Sequence, residues 1–201
     1  MVIKEARFIT SSQDVAKCPP PDKPEYAFIG RSNVGKSSLI NMLCRYRKLA
    51  KVSSTPGKTQ LLNHFLINKE WYLVDLPGYG YARTSKATRE SFNALTMAYL
   101  AGRENLMCLF VLIDIRIPPQ NIDLAFMRKM GEGQLPFAIV FTKADKLKPQ
   151  AVNNAIENYK LRLLEEWEAL PGIFVTSAAK ASGRDELLDY IETLNLTWNT
   201  E

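Results

Sequence analysis

The run from residue 30 to residue 37 has the residue types and the spacing of a phosphate-binding loop. It matches the pattern G-x-x-x-x-G-K-[ST] with Gly30, Arg31, Ser32, Asn33, Val34, Gly35, Lys36 and Ser37. Glycines let a backbone wrap closely around phosphate oxygens, and the N–H groups of such a loop supply a positive field. Lys36 would add a full charge against the β- and γ-phosphates, and the Ser37 hydroxyl can bind Mg²⁺. We therefore predict a nucleotide-binding loop that continues to Ser38, with Lys36 as a catalytic residue.

A second motif, Thr142-Lys143-Ala144-Asp145, predicts which base is bound. The Asp145 carboxylate can accept two hydrogen bonds, one from N1–H and one from the exocyclic amino group of guanine. Adenine lacks this donor pair, so a carboxylate facing it would be left unpaired. The Lys143 stem can lie flat against the purine face. In a chain that also has a phosphate loop, this motif indicates GTP and GDP as ligands.

The motif Asp75-Leu76-Pro77-Gly78 follows a predicted strand and suits the γ-phosphate end of the nucleotide. Asp75 is expected to reach Mg²⁺, and the Gly78 amide is expected to face the γ-phosphate in a catalytic role. After the last predicted strand, Thr176-Ser177-Ala178 fits a loop that closes over the base with a backbone amide. This last motif is weak when taken alone.

The threonine that senses the γ-phosphate is expected in the loop before residue 61. Thr59 is the first candidate, with a catalytic role and a place among the Mg²⁺ ligands, and Thr55 is the second. The predicted nucleotide contacts of this loop are Gly57, Lys58, Thr59, Gln60 and Leu61.

Alternating strand-like and helix-like segments would carry these motifs. Short apolar runs predict buried strands at 26–30, 61–67, 71–75, 107–113, 137–141 and 173–175. Apolar positions at helical spacing predict helices at 36–47, 85–100 and 121–130, a long helix that opens at Pro149, and a last helix capped by Ser182. This alternation predicts an α/β fold, a doubly wound and mostly parallel sheet with helices on both faces, as in P-loop GTPase domains.

The first 24 residues differ from the rest of the chain. Three prolines, at 19–21, separate a short strand-like segment at 7–10 from the alternating part. We predict an N-terminal extension at 1–24, with that segment as an added edge strand, and one GTP-binding domain at 25–201.

Composition is that of an ordinary globular protein. The chain has 201 residues, of which 46% are hydrophobic and 23% charged. It shows neither a bilayer-length apolar run nor a signal-peptide start, so we expect a cytoplasmic monomer without membrane contact. Three dispersed cysteines argue against a disulfide framework and a zinc site. The single histidine, His64, lies in a predicted strand and is expected to be structural.

The net charge of +5 is partly concentrated in one stretch. Five basic residues occur there without an intervening acid, namely Arg45, Arg47, Lys48, Lys51 and Lys58. Such a run is usually a solvated face, but it also suits contact with a phosphate backbone. Tyr79, Tyr81 and Arg83 could join such a contact by stacking, or could pack against the helix that follows.

Together these residues resemble the EngB/YihA (also YsxC) family of bacterial GTPases, within the TrmE-Era-like branch. The resemblance extends from about Tyr26 to the end of the chain. It depends on the phosphate loop and on the runs T-P-G-K-T-Q at 55–60, D-L-P-G-Y-G-Y at 75–81, D-I-R at 114–116 and T-K-A-D at 142–145. One departure is Ile117, where relatives often carry histidine.

The resemblance implies a GTPase that acts in assembly of the large ribosomal subunit, with that subunit and its rRNA as partners and a link to cell division and septation. It also implies Mg²⁺ ligands at Ser37 and Thr59. A nucleotide-stabilised scaffold of the division machinery with little catalytic role stays open as an alternative. A metabolic P-loop ATPase or kinase is disfavoured by Asp145 and by the lack of a lid segment.

Tyr79 occupies the position at which Ras-like GTPases carry a water-orienting glutamine. Tyrosine cannot orient the attacking water in the same way, so we expect slow intrinsic hydrolysis that needs a partner or a monovalent cation. Asn33 is at the phosphate-loop position where potassium-stimulated relatives in this branch carry asparagine, which makes K⁺ a candidate cofactor. The alternative is that Asn33 only caps the loop.

Overall fold

The structure is a computed structural model that describes residues 1–46, 49–50, 61–79 and 86–198, with side chains from residue 94 onward in the helix that begins at Lys86. Several predicted residues lie outside the described ranges, namely Arg47, Lys48, Lys51, Thr55, Gly57, Lys58, Thr59, Gln60, Tyr81 and Arg83. The roles assigned to them stay predictions.

In the described part of the chain, seven strands form one sheet in the order β1-β3-β4-β2-β5-β6-β7. The strands are β1 (Ala6–Ser12), β2 (Glu25–Gly30), β3 (Leu62–Ile67), β4 (Trp71–Asp75), β5 (Leu106–Asp114), β6 (Phe137–Thr142) and β7 (Gly172–Val175). Strands β4, β2, β5, β6 and β7 run parallel to one another, whereas β3 is antiparallel to both β1 and β4. The apolar runs of β2 and β5 lie in the middle of the sheet because both of their faces are buried.

Helices cover both faces of this sheet. They are α1 (Lys36–Cys44), α2 (Lys86–Gly102), α3 (Asn121–Glu132), α4 (Pro149–Leu164) and α5 (Arg184–Asn195). Leu39 of α1 and Leu188 of α5 belong to the core on one face. Leu100 of α2, Met127 of α3 and Leu163 of α4 belong to the core on the other. This arrangement confirms the predicted doubly wound α/β fold.

Strand β1 contains the segment predicted as an edge strand, and it pairs with β3. The register joins Phe8 to Phe65 and Ser12 to Leu62. A 3₁₀ turn, Val15–Lys17, then leads the chain towards β2. Because β1 covers the outer side of β3, the backbone of β3 is paired on both sides.

The prediction that α1 extends to residue 47 is wrong. The helix ends at Cys44, because Arg45 takes a left-handed conformation with φ of 56°. The N–H of Tyr46 then donates to the Asn41 carbonyl at 3.0 Å, and the N–H of Arg45 donates to the Met42 carbonyl at 3.2 Å. This pairing closes a helix C-terminus in the way that glycine usually does.

The predicted cap of the last helix is also wrong. Helix α5 is preceded by Gly183, which has φ of 74° and gives no side-chain cap. Ser182 instead exchanges backbone hydrogen bonds with Ser177. A Cβ at position 183 would lie 2.1 Å from the Val175 carbonyl oxygen, so the chain needs glycine there. The other predicted bounds differ from the observed ones by one or two residues at an end.

A buried acid, Glu25, joins β2 to α2 and β3 at the end of the sheet where β2 begins. Its carboxylate accepts hydrogen bonds from the Tyr99 hydroxyl and from Nη2 of Arg103, the latter at 2.7 Å. Nε2 of His64 lies 3.5 Å from Oε2 of Glu25. Burial raises the Glu25 pKa, but His64, Arg103 and Tyr99 together outweigh burial and lower it to about 2. Glu25, His64 and Tyr99 are fully buried, so the network is structural.

We expect Glu25→Gln to lower the free energy of unfolding at pH 7 by about 3 kcal/mol, because it leaves the Arg103 charge buried without its partner. The folded-state pKa of Glu25, about 2, lies below its ordinary value of 4.5. The ionised carboxylate therefore stabilises the fold above pH 4.5, and this contribution is lost as the pH falls towards 2. The stability gap between wild type and variant should narrow across that interval.

Urea unfolding at a series of pH values measures this gap. The matched control is Glu132→Gln, at an exposed position on α3, which should stay within about 0.5 kcal/mol of wild type throughout. A gap that is absent at pH 7, or that does not change between pH 4.5 and pH 2, would show that the Glu25 network does not stabilise the fold.

Candidate functional site

The parallel strands bring their carboxyl ends to one edge of the sheet. Gly30 ends β2, Asp75 ends β4, Asp114 ends β5, Thr142 ends β6 and Val175 ends β7. In open α/β sheets, ligands bind in the crevice outside these ends. The predicted phosphate, metal and base motifs of the described ranges therefore meet at one edge.

The loop between β2 and α1 has the backbone shape of an anion-binding concavity. Asn33 has φ of 63° and Gly35 has φ of 107°, and the latter favours glycine. Gly35 precedes α1 and offers no side chain to its first turn. The first N–H groups of a helix have no partner within the helix, so those of α1 are available to an anion.

Lys36 and Asp75 form an ion pair at the mouth of this loop. The Lys36 ammonium donates to Oδ1 of Asp75, and both side chains are largely buried. Ser37 follows Lys36 on α1, so the Ser37 hydroxyl and the Asp75 carboxylate come from two neighbouring elements. Within the described residues, no group of three or more His, Cys, Asp or Glu side chains could hold a metal. Oxygen ligands in small number suit Mg²⁺, which keeps waters and is usually shared with substrate phosphates.

The segment after β4 runs beside the phosphate loop. The N–H of Leu76 donates to the Phe28 carbonyl at 3.0 Å, and the N–H of Tyr79 donates to the Gly30 carbonyl at 3.3 Å. Pro77 and Gly78 between them are buried. The Tyr79 ring is also buried, and it stacks on Phe126 of α3 at a centroid distance of 4.7 Å. The Tyr79 ring therefore packs in the interior against α3, whereas the sequence had suggested packing against the helix that follows it.

The base motif is bonded directly to the phosphate loop. Oγ1 of Thr142 donates to the Val34 carbonyl at 2.6 Å, and Nζ of Lys143 donates to the Asn33 carbonyl at 2.6 Å. Lys143 also lies 2.9 Å from Oδ2 of Asp114. Its backbone has φ of 62°, which turns the chain sharply after β6. The positions of the two motifs are thus fixed relative to each other.

Asp114 keeps its charge at this junction. Burial raises its pKa, but hydrogen bonds from Arg116 and Lys143 outweigh burial and lower it to about 2. Nη2 of Arg116 lies 2.7 Å from Oδ2 of Asp114. A permanently ionised Asp114 can therefore hold the Lys143 ammonium in place at physiological pH.

Asp145 is held by the loop that follows β7. The Ser177 hydroxyl donates to its Oδ1 at 2.6 Å, and Nζ of Lys146 lies 3.3 Å from its Oδ2. The Ser177 hydrogen bond is the main reason that the Asp145 pKa lies below its usual value. The N–H of Ala144 donates to the Thr176 carbonyl at 3.1 Å, which joins the two loops. The sequence predicted a backbone role for residues 176–178, whereas Ser177 also orients a side chain.

A cavity of about 730 Å³ lies between these loops, a size that suits a small-molecule ligand. Predicted residues that line it include Gly35, Ser38, Thr142, Lys143, Asp145, Thr176 and Ala178. Residues outside the predicted nucleotide motifs also line it, among them Met42, Arg45, Tyr46, Ala179 and Ala181. Arg45 was predicted only as part of the basic run, and Tyr46 was missed, because the helix was expected to continue through both residues.

Other predicted residues lie beside this cavity or away from it. Arg31, Ser32, Asn33 and Val34 line a second cavity of about 230 Å³, which reaches Asp114 and Asp123. Leu61 is half-buried before β3 and does not line either cavity. In the described part of the chain, no helix has the length and apolarity needed to cross a bilayer.

Comparisons with known proteins identify the family of this chain. Residues 25–143 match the sequence model of a family described as 50S ribosome-binding GTPase. A protein named "Probable GTP-binding protein EngB" from Christiangramia forsetii is 57% identical over 97% of this chain and 98% of its own length. A protein of the same name from Porphyromonas gingivalis is 57% identical, with 97% of each chain covered.

A solved structure shows the same fold. The crystal structure of a probable GTP-binding protein engB superposes with a TM-score of 0.69 at 22% identity, covering 87% of this chain and 100% of that one. The matched family and the identity to curated relatives show more than fold: this chain belongs to the EngB family of GTP-binding proteins, within the P-loop GTPases.

Proposed function

We propose that this chain is a Mg²⁺-dependent GTPase switch that acts in assembly of the large ribosomal subunit. The observation that carries the nucleotide part is the bonded contact between two loops. Thr142 and Lys143 donate to the Val34 and Asn33 carbonyls, so the base site and the phosphate site are held at a fixed spacing. A nucleotide can therefore be gripped at both of its ends.

The two ends of the ligand meet different chemistry. The N–H groups that open α1, together with Lys36, would hold the β- and γ-phosphates. Asp145, oriented by Ser177, would accept the two donors of the guanine edge. Adenine would leave this carboxylate unpaired, and the loss is large when a site built around such a group receives the wrong base.

Mg²⁺ would be held by Ser37, by Asp75 and by Thr59, which lies outside the described residues. When bound, the ion neutralises charge on the β- and γ-phosphate oxygens. The Lys36–Asp75 ion pair supports this assignment, since it shows that the lysine and the carboxylate reach the same point.

Slow intrinsic hydrolysis is part of the proposal. The Gly78 amide would stabilise charge on the γ-phosphate, an effect of the kind that oriented N–H donors supply. The Tyr79 hydroxyl donates to Asp123 in the protein interior, so it is engaged elsewhere and does not orient the attacking water. A ribosomal partner, or K⁺ bound near Asn33, would supply the missing assistance.

The ribosomal role is supported by the description of the matched family and by charge. Arg45 and Tyr46 are exposed at the rim of the larger cavity, at the start of the basic run that continues outside the described residues. A basic segment beside the nucleotide can contact an RNA backbone according to which nucleotide is bound. We propose the large subunit and its rRNA as partners of a cytoplasmic monomer, with a link to cell division and septation.

We expect Asp145→Asn to exchange guanine for xanthine recognition. The amide can donate to the carbonyl that xanthine carries in place of the amino group, and it cannot accept both guanine donors. GDP affinity should fall on the order of a hundredfold or more, while XDP affinity should rise. Titration with fluorescent GDP and competition by XDP measure both changes.

The matched control is Asp185→Asn, which makes the same chemical change at a side chain that is 80% exposed. This variant should bind GDP as wild type does. Unchanged GDP affinity in Asp145→Asn would contradict the assignment of the base site.

We expect the GTP-bound form to sediment with purified 50S subunits more strongly than the GDP-bound form. A non-hydrolysable GTP analogue prevents turnover during the run. Binding should weaken steeply as salt is raised, because contacts to phosphates release counterions. The measurement is the fraction of protein that pellets with 50S particles in each nucleotide.

The control is Lys36→Ala, which should lose the difference between nucleotides, provided that its unfolding curve matches that of wild type. Equal sedimentation of the wild-type GTP and GDP forms at every salt concentration would count against a nucleotide-controlled ribosomal role.

A further inference from the structure

Four residues connect the segment after Gly78 to the phosphate loop and to α3. They are Arg31, Tyr79, Asp123 and Phe126, and we refer to them as the Asp123 cluster. Asp123 and Phe126 lie on α3, Arg31 lies in the phosphate loop, and Tyr79 directly follows Gly78. The motifs that mark the nucleotide site do not include the two α3 residues.

Side-chain contacts fix Tyr79 on two sides. Its hydroxyl donates to Oδ1 of Asp123 at 2.8 Å. Its ring stacks on Phe126 with an interplanar angle of 16°. Tyr79 is 7% exposed and Asp123 is 3% exposed, so water does not compete freely for this hydrogen bond.

Backbone contacts fix the same residue to the phosphate loop. Arg31 and Tyr79 form a parallel β-bridge, with the Tyr79 N–H donating to the Gly30 carbonyl at 3.3 Å. Nη1 of Arg31 lies 4.0 Å from Oδ2 of Asp123. Asp123 is the one carboxylate in the cluster. Its two oxygens face the Tyr79 hydroxyl and the Arg31 guanidinium, and these residues directly follow Gly78 and Gly30.

Burying the Asp123 carboxylate costs desolvation free energy, which indicates that this side chain does more than fill space. Burial raises the Asp123 pKa, and the Tyr79 hydrogen bond and the Arg31 charge only partly oppose this effect. An apolar side chain would avoid the desolvation cost at this position. It would also release the Tyr79 hydroxyl from α3.

We propose that Asp123 is a positioning residue for GTP hydrolysis. By holding Tyr79 against α3, it fixes the residue that follows Gly78 and so restrains Gly78, whose N–H belongs to the preceding peptide, relative to the phosphate loop. This inference rests on the proposed function, in which that amide faces the γ-phosphate.

The hydrogen bond between Tyr79 and Asp123 should affect hydrolysis without affecting nucleotide binding. Neither Tyr79 nor Asp123 lines the 730 Å³ cavity that contains the base site. Asp123 instead lines the smaller cavity. Loss of Asp123 should therefore lower kcat and leave KM and GDP affinity nearly unchanged.

The experiment compares single-turnover GTP hydrolysis and GDP affinity in Asp123→Ala, Asp123→Asn, Tyr79→Phe and the double variant Tyr79→Phe/Asp123→Ala. We expect Asp123→Ala to lower kcat by about tenfold or more, because misplacement of a reacting group by an ångström can cost about a hundredfold. Asp123→Asn keeps an acceptor for the Tyr79 hydroxyl and should recover most of the loss. The double variant should be no slower than Asp123→Ala, since both changes break one hydrogen bond.

The matched control is Glu132→Ala, an exposed acid on the same helix, which should hydrolyse GTP at the wild-type rate. Tyr79→Phe removes a single hydroxyl, so it carries the test if Asp123→Ala does not fold. Wild-type kcat in Tyr79→Phe, or additive losses in the double variant, would overturn the inference. Failure of the proposed function is distinct, since wild type itself would then not bind or hydrolyse GTP.

Discussion

Two hydrogen bonds from the end of β6 into the phosphate loop determine the geometry of the whole site. Thr142 and Lys143 donate to carbonyl groups of the loop at 2.6 Å each. The bonds are possible because β2, β5 and β6 are parallel neighbours, in a register that pairs Asp114 with Thr142. The carbonyls that accept them belong to the turn whose left-handed residues shape the phosphate concavity. The motifs predicted for the base and for the phosphates are therefore bonded to each other at one junction.

Two ion pairs lie next to this junction. Asp75 pairs with Lys36, Asp114 pairs with Lys143, and each joins a strand end to a different loop. Buried pairs of this kind add little net stability compared with apolar packing, but the loss of one partner is costly. Their main effect here is to orient the two lysine side chains within the site. At the opposite end of β2, the Glu25 carboxylate accepts hydrogen bonds from Tyr99 and Arg103 at the end of α2 and lies 3.5 Å from His64 of β3.

The parts of this structure that could be predicted are those whose signal is contiguous in the chain. The phosphate loop needs glycines and a lysine at a fixed spacing, and an apolar run in a parallel sheet is recognisable because both of its faces are buried. The end of α1 could not be predicted, since Arg45 takes the left-handed conformation without the glycine that usually signals it. Ser182 has the composition of a cap, but its backbone is used by the loop after β7.

Contacts between distant positions were missed for a different reason. Ser177 meets Asp145 across 32 positions, and Asp123 meets Tyr79 across 44. An aspartate in the first turn of a helix ordinarily serves the helix dipole, so the sequence around Asp123 does not indicate that it receives a tyrosine. Thr59 stays a prediction, because it lies outside the described residues.

The measurement that tests the central claim most directly is competition for bound fluorescent GDP by unlabelled GTP and ATP on the pure protein. The geometry requires that GTP displaces the labelled GDP and that ATP does not, even at about a hundredfold excess, because adenine leaves the Asp145 carboxylate unpaired. Equal displacement by ATP would contradict the account.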